Sequence, residues 1–309
     1  MPQPSIDERT ASEPPGDRNS ALQSGALEER RVAPERVRAL LGLNETLSGR
    51  LARRPALYGT LIVVGASVAA IVLGTALGRA VAVAAGQDDL AGPAGGLGSN
   101  LLGTAFLVGL VWRRGWWREV GFGGPSTWRS LRLLAFPALT ASVLAAGGLV
   151  NLDLSDPARL ALKLSGTLLT GFREEGFTRG VLLSLLLVAA LRAGRGPMRA
   201  VLIAAVVFGL LHLVGVPFGK PLVPSLVQFV TATLFGIGYG ALLLRTNALW
   251  LLAGLHAVGN LASTLRGGNE ASDDLTAFFL PSQLLLAVYG LFLLRRLKSG
   301  DRAAAAQTE

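Results

Sequence analysis

The sequence predicts an all-α protein: a polytopic integral membrane bundle of about eight transmembrane helices. Two observations predict it. Hydrophobic residues make up 51% of the 309-residue chain and fall in long unbroken blocks, not in the spaced pattern of a soluble amphipathic helix. Most basic residues stand at the ends of those blocks, so the net charge of +9 reads as membrane orientation and not as nucleic-acid binding. Cysteine is absent, which excludes disulfides, thiolate nucleophiles and cysteine metal sites.

Residues 1–50 are rich in Pro, Ser, Glu and Arg and predict a poorly ordered cytoplasmic extension without a signal peptide. Within it, the leucines from Pro34 to Leu51 can line a short amphipathic helix whose arginines rest on anionic lipid, or the stretch is a flexible tail. A membrane domain over 51–298 and a short tail over 299–309 follow.

The first span is expected at Leu57–Leu77, followed by an outer loop Gln87–Asn100 that contains no Lys or Arg. Leu101–Trp112 returns to a basic, tryptophan-rich inner connection that includes Arg113, Arg114, Trp116, Trp117 and Arg118. Leu133–Val150 crosses outward to an acidic turn, and the block from Leu160 to Leu191 crosses back, tilted or broken near Gly171 or Gly176. Ala200–Val216, Leu222–Leu244, Trp250–Leu265 and Ala277–Leu294 complete an even number, which places both termini in the cytoplasm, at the cell membrane. No internal repeat is evident.

The block from Leu160 to Leu191 carries Arg173, Glu174, Glu175 and Arg179 in its middle. A charge at bilayer depth costs about 2.5 to 3.5 kcal/mol even on lenient scales, so such residues persist when paired or functional. Glu175 and Arg179 are spaced for an intrahelical ion pair, acid first. Glu174 points about 100° away around the helix without such a partner, and a desolvated carboxylate there can act as a base. The plainer reading is four charges that neutralise one another inside a bundle.

Both histidines of the chain lie in spans: His212 shares a face with Phe208, and His256 shares one with Asn260. Buried polar groups in lipid must find one another or water, which predicts one interior cluster. No nucleophile motif, H-E-x-x-H motif or phosphate loop accompanies them. A carboxylate and an imidazole can activate water directly, with a second imidazole and a carboxamide stabilising an oxyanion. The same side chains can alternatively ligate zinc. A transporter or non-catalytic scaffold that uses the cluster for a proton, ion or partner helix is the rival from another class.

Glu174-Glu175-x-x-x-Arg179, Phe208-x-x-x-His212 and His256-x-x-x-Asn260, in that order on successive apolar helices, resemble the CAAX-protease and bacteriocin-processing family of intramembrane proteases, relatives of the eukaryotic enzyme that trims prenylated CaaX proteins. The resemblance spans roughly Leu133 to Leu265 and implies a glutamate-dependent endopeptidase in an eight-helix-like bundle. It implies Glu174 as the water-activating base assisted by His212, His256 and Asn260 as the oxyanion hole, and Glu175, Arg179 and Phe208 as supporting residues. No cofactor is then required. The partners are membrane lipids and a membrane-associated or prenylated CaaX-like protein or peptide, with no nucleic acid. One departure is Thr178, where the family commonly has an aromatic residue before the motif arginine. Arg173 beside the acids is another, since it would favour the charged form of Glu174.

Overall fold

The computed structural model describes residues 34–125, 127–128, 130–149, 154–265 and 280–295. All regular structure among them is helical. Five helical stretches are long and apolar enough to cross a membrane: Pro55–Ala84, Asp88–Arg114, Ser130–Leu149, Pro197–Phe218 and Leu222–Thr246. Two shorter apolar helices, Leu249–Leu261 and Leu280–Arg295, and the charged stretch from Pro157 to Arg192 account for the other expected spans. The chain is an all-helical polytopic membrane protein.

The bundle begins earlier in the chain than the composition suggests. Pro34–Thr46 (α1) and Gly49–Arg53 (α2) are helical, so this part of the expected poorly ordered extension is packed structure; residues 1–33 and the tail 299–309 lie outside the described residues. Leu40, Leu43, Leu47 and Leu51 recur at helical spacing and are buried, so the leucine stripe faces the bundle. Arg36 does not rest on a lipid surface. It is fully buried, donating from Nη1 to the Glu119 carbonyl at 3.1 Å and from Nη2 to Ser184 Oγ at 2.5 Å. Burial pushes its guanidinium down to about 10, so it stays protonated at neutral pH. Trp116 Nε1 donates to Thr46 Oγ1 at 2.8 Å and closes the other end of α1.

Pro55–Ala84 (α3) contains a π-helical segment at Ala70–Gly74, and after a turn at Asp88–Leu90 the chain returns as Ala91–Arg114 (α4). The expected outer loop Gln87–Asn100 is therefore mostly helix. Its glycines make that possible: a Cβ on Gly74 would lie 2.6 Å from the Gly98 carbonyl oxygen, and one on Gly98 would lie 3.1 Å from Gly78 Cα. Backbone groups in lipid must pair within their own segment, and small residues then let two helices pack at close range. In the basic connection, Trp116 is buried, while Trp112 and Trp128 are 76% and 85% exposed, as residues at a membrane interface would be.

A 3₁₀ turn at Ser130–Leu134 leads into Ala135–Leu149 (α5). Pro157–Glu175 (α6) starts at an Asp156 cap that accepts from the Arg159 backbone N–H at 2.8 Å, a bond that holds the Asp156 carboxyl below its usual range. Arg159 also pairs with Asp89 Oδ2 at 3.3 Å and joins this end of α6 to the turn before α4. From α6 the chain continues through a π-helical segment, Gly176–Leu182, into Leu183–Arg192 (α7). The expected break at Gly176 is this change of helical winding. The rest comprises Pro197–Leu211 (α8), a 3₁₀ segment His212–Phe218, Leu222–Thr246 (α9), Leu249–Leu265 (α10) and Leu280–Arg295 (α11). α6 lies between α4 and α10, while α5 covers the other side of α10 and α8 pairs with α9.

Arg36→Ala removes two hydrogen bonds from a charged donor, so it should lower stability by about 2 to 3 kcal/mol. Arg50→Ala, at an exposed position, should change stability by less than about 0.5 kcal/mol. Denaturant unfolding in detergent micelles, followed by tryptophan fluorescence, checks both.

Candidate active site

Three close approaches assemble the site. Gly171 sits against α10: a Cβ there would lie 2.6 Å from the Ala253 carbonyl oxygen and 2.9 Å from the Ala257 nitrogen. Its bare backbone lets α6 and α10 touch one turn before the two acids and one turn around His256. Gly176 makes room for Leu107 of α4 in the same way. Gly209 of α8 lies against the Phe229 carbonyl and the Thr233 side chain of α9.

At the centre stands Glu175, with no solvent exposure. Its Oε1 accepts from Arg179 Nη1 at 3.1 Å and from His256 Nδ1 at 2.8 Å. The ion pair expected from the i,i+4 spacing is present even though the chain enters its π segment at Gly176. The Thr178 hydroxyl donates to the Glu174 carbonyl one turn back at 2.6 Å, the usual i−4 bond of a helical threonine. The same hydroxyl accepts from Arg179 Nη1 at 2.6 Å. Thr178, the visible departure from the family pattern, thus ties Arg179 to the Glu174 backbone.

Arg179 also lies against two neighbouring aromatic rings, its guanidinium carbon 4.1 Å from the Phe208 ring centre and 5.2 Å from that of Phe235. Phe208 meets His212 edge-on at 4.9 Å, the shared face expected from their spacing. His212, however, opens the 3₁₀ segment and does not continue α8. Its Nδ1 lies 2.9 Å from the Phe208 carbonyl oxygen, which only accepts, so Nδ1 carries a proton and the neutral ring keeps a lone pair on Nε2.

Glu174 differs from Glu175 in every respect that chemistry reads. Its side chain is 20% exposed, and its Oε2 lies 3.8 Å from His256 Nε2. It interacts electrostatically with both His212 and His256. It is not without a local partner: Arg173 Nη2 donates to its Oε1 at 2.9 Å, because an arginine is long enough to swing back over a neighbour whose Cβ points elsewhere. Arg173 Nη1 reaches on to Ser99 Oγ at 3.3 Å. One carboxylate oxygen is therefore tethered, and the other faces the imidazole.

The structure brings Glu174, Glu175, Arg179, Phe208, His212 and His256 into one cluster, as the sequence predicts. Asn260 lies one turn beyond His256 on the same face of α10, half-buried. Three contributors escaped the sequence reading. Phe235 and Tyr239 of α9 stack at 3.9 Å and bring their rings to 4.7 and 6.4 Å from His256. Ser99 steadies Arg173. An aromatic pair at i,i+4, repeating the Phe208/His212 spacing, was the one signal on α9. Ser99 gave none. No group of three or more His, Cys, Asp or Glu side chains among the described residues is arranged to hold a metal ion.

Compared with protein-family models, residues 157–262 match that of the type II CAAX prenyl endopeptidase Rce1-like family. Residues 157–262 form an Rce1-like domain. It runs from the first residue of α6 almost to the end of α10 and contains every residue of the cluster except Ser99. Helices α1 to α5 precede the Rce1-like domain. No curated protein and no solved structure gives a match. The family is one of CAAX-type membrane endopeptidases, which agrees with the motif resemblance.

Glu175→Gln should leave Arg179 as an uncompensated buried charge and lower stability by about 3 to 5 kcal/mol. Glu174→Gln, at a side chain that is 20% exposed, removes one charged hydrogen bond to Arg173 and should cost less, about 1.5 to 3 kcal/mol. Unfolding of the two variants side by side checks the distinction.

Proposed function

We propose that the chain is an intramembrane endopeptidase that hydrolyses a peptide bond of a membrane-associated or prenylated CaaX-like protein with water activated by Glu174. The observation that carries the reading is the division of labour between the two acids. Glu175 is consumed by Arg179 and His256, whereas Glu174 keeps one carboxylate oxygen directed at the His256 imidazole. Glu174 takes a proton from water, assisted by His212, as the oxygen attacks the carbonyl carbon. His256 and Asn260 stabilise the tetrahedral oxyanion. The amide C–N bond then breaks as the leaving nitrogen takes the proton from Glu174, and the products are a carboxylate and an amine.

With its Nδ1–H given to Glu175, His256 donates from Nε2 to an oxyanion only when the ring carries both protons. The ring stands between Glu175 Oε1, 2.8 Å from Nδ1, and Glu174 Oε2, 3.8 Å from Nε2. The reaction requires no metal in this reading, because Glu175 and His256 are spent on each other instead of converging on a common point. In the membrane, the basic flanks favour both termini on the cytoplasmic side of the cell membrane.

Purified protein in lipid should cleave fluorogenic membrane-anchored peptides in the presence of EDTA. Glu174→Gln should lower kcat by about 10²- to 10⁴-fold, and Asn260→Ala by about 10²- to 10³-fold. A Glu174→Gln protein as fast as wild type would leave the scaffold or transporter reading in place. Loss of cleavage on chelation, with one metal per chain, would move the chemistry to zinc. Comparing prenylated with unprenylated peptides of the same sequence reads the substrate class.

A further inference from the structure

A cleft of about 240 Å³ lies between α4, α6 and α10, lined by Asn100, Lys163, Thr167, Thr170 and Thr264 among others. Its lining continues the candidate active site along two helices. Lys163, Thr167, Thr170 and Glu174 follow one another at i, i+4, i+7 and i+11, one face of α6; His256, Asn260 and Thr264 follow at i, i+4 and i+8, one face of α10. The cleft thus ends one helical turn from Glu174 on one side and from Asn260 on the other.

Most of its polar groups are occupied. Thr167 and Thr264 share a hydrogen bond at 2.6 Å, Thr170 donates to the Gly166 carbonyl at 2.8 Å, and Asn100 Nδ2 donates to the same carbonyl at 3.1 Å. Asn100 is only 8% exposed, yet its Oδ1 is a buried acceptor without a partner among the described residues. A buried acceptor left unsatisfied costs about 1 to 3 kcal/mol, which a ligand N–H recovers. Lys163 supplies a cation at the far end of the cleft, half-buried. It precedes Glu174 by eleven residues of helix, about 16 Å, the reach of about five residues of extended chain.

We propose that this cleft is a substrate-binding site. It holds an extended stretch of the polypeptide beside the scissile bond, with Asn100 Oδ1 accepting a main-chain N–H and Lys163 pairing with a carboxylate about five residues from that bond. The carboxylate is either an acidic side chain or the chain's own C-terminus. The assignment rests on the peptidase reading for its link to Glu174, but peptide binding can be measured without cleavage.

The test uses full-length Glu174→Gln protein in lipid nanodiscs and a fluorescent probe: a single membrane anchor followed by ten residues of Ala, Ser and Leu. Asp, Asn or Lys is scanned through each of the ten positions, and the chain ends in a free carboxyl or an amide. Fluorescence anisotropy should show one register in which Asp binds at least about tenfold tighter than Asn, or a free carboxyl tighter than an amide. The two arms identify the source of the charge. Lys163→Gln should abolish the preference and Lys163→Glu should turn it toward Lys. Asn100→Leu should weaken every peptide about tenfold. Equal affinities across these variants, or no peptide binding at all, would overturn the proposal. Lys163 is at the rim, so its variants should unfold like the parent, and this is measured alongside. The same peptides given to the Glu174 protein report hydrolysis separately. The binding pattern without cleavage keeps the cleft and removes the peptidase reading, whereas cleavage indifferent to Lys163 and Asn100 keeps the peptidase and removes the cleft.

Discussion

A single buried carboxylate, Glu175, holds the interior of this bundle together. One of its oxygens serves Arg179 from its own helix and His256 from α10, so it fixes the relation of α6 to α10 and the orientation of the imidazole at once. Arg179 then spreads the constraint to α8 and α9 through the faces of Phe208 and Phe235. In an apolar interior, charges this close are strongly coupled, and removing one strands the others. Four helices are committed to a common geometry through this one group.

That commitment frees Glu174. Adjacent residues on a helix face different directions, and with the structural burden on Glu175 the second carboxylate can look outward toward the His256 imidazole. The tether from Arg173 to Oε1 keeps the side chain in place while Oε2 remains directed at His256. The π segment that follows the acids serves the same end. It shifts the register of the helix beyond Glu175, and the Thr178 hydroxyl inside it bonds back to the Glu174 carbonyl. π turns recur at functional sites because they re-aim side chains at modest cost.

Support for this helix comes from outside the Rce1-like domain. Arg36 of α1 reaches Ser184, just beyond the π segment, and Ser184 donates in turn to the Gly180 carbonyl inside it. Ser99 and Gly103 of α4 accommodate Arg173 on the other flank. The helices that precede the family match therefore brace the helix that carries the acids from both ends of its charged stretch.

The sequence by itself determined the class of fold, most of the spans and six members of the interior cluster, Glu174, Glu175, Arg179, Phe208, His212 and His256. Those are consequences of local chemistry: apolar blocks long enough to cross lipid, and a handful of polar residues that lipid forces together. It determined the Glu175–Arg179 pair too, because i,i+4 spacing on one helix needs no tertiary information. Only the tertiary structure decided that Arg36 is an anchor and not a lipid contact, that the glycine-rich run before Asn100 is helix, and that Glu174 is tied to Arg173. Each depends on what another helix presents at that position. An arginine beside apolar residues reads the same whether its partner is a phosphate or the Ser184 hydroxyl 148 residues away. The aromatic wall of Phe235 and Tyr239 was hard to read for a similar reason: an i,i+4 ring pair on an apolar helix marks a shared face but not its partner until the fold sets His256 against it.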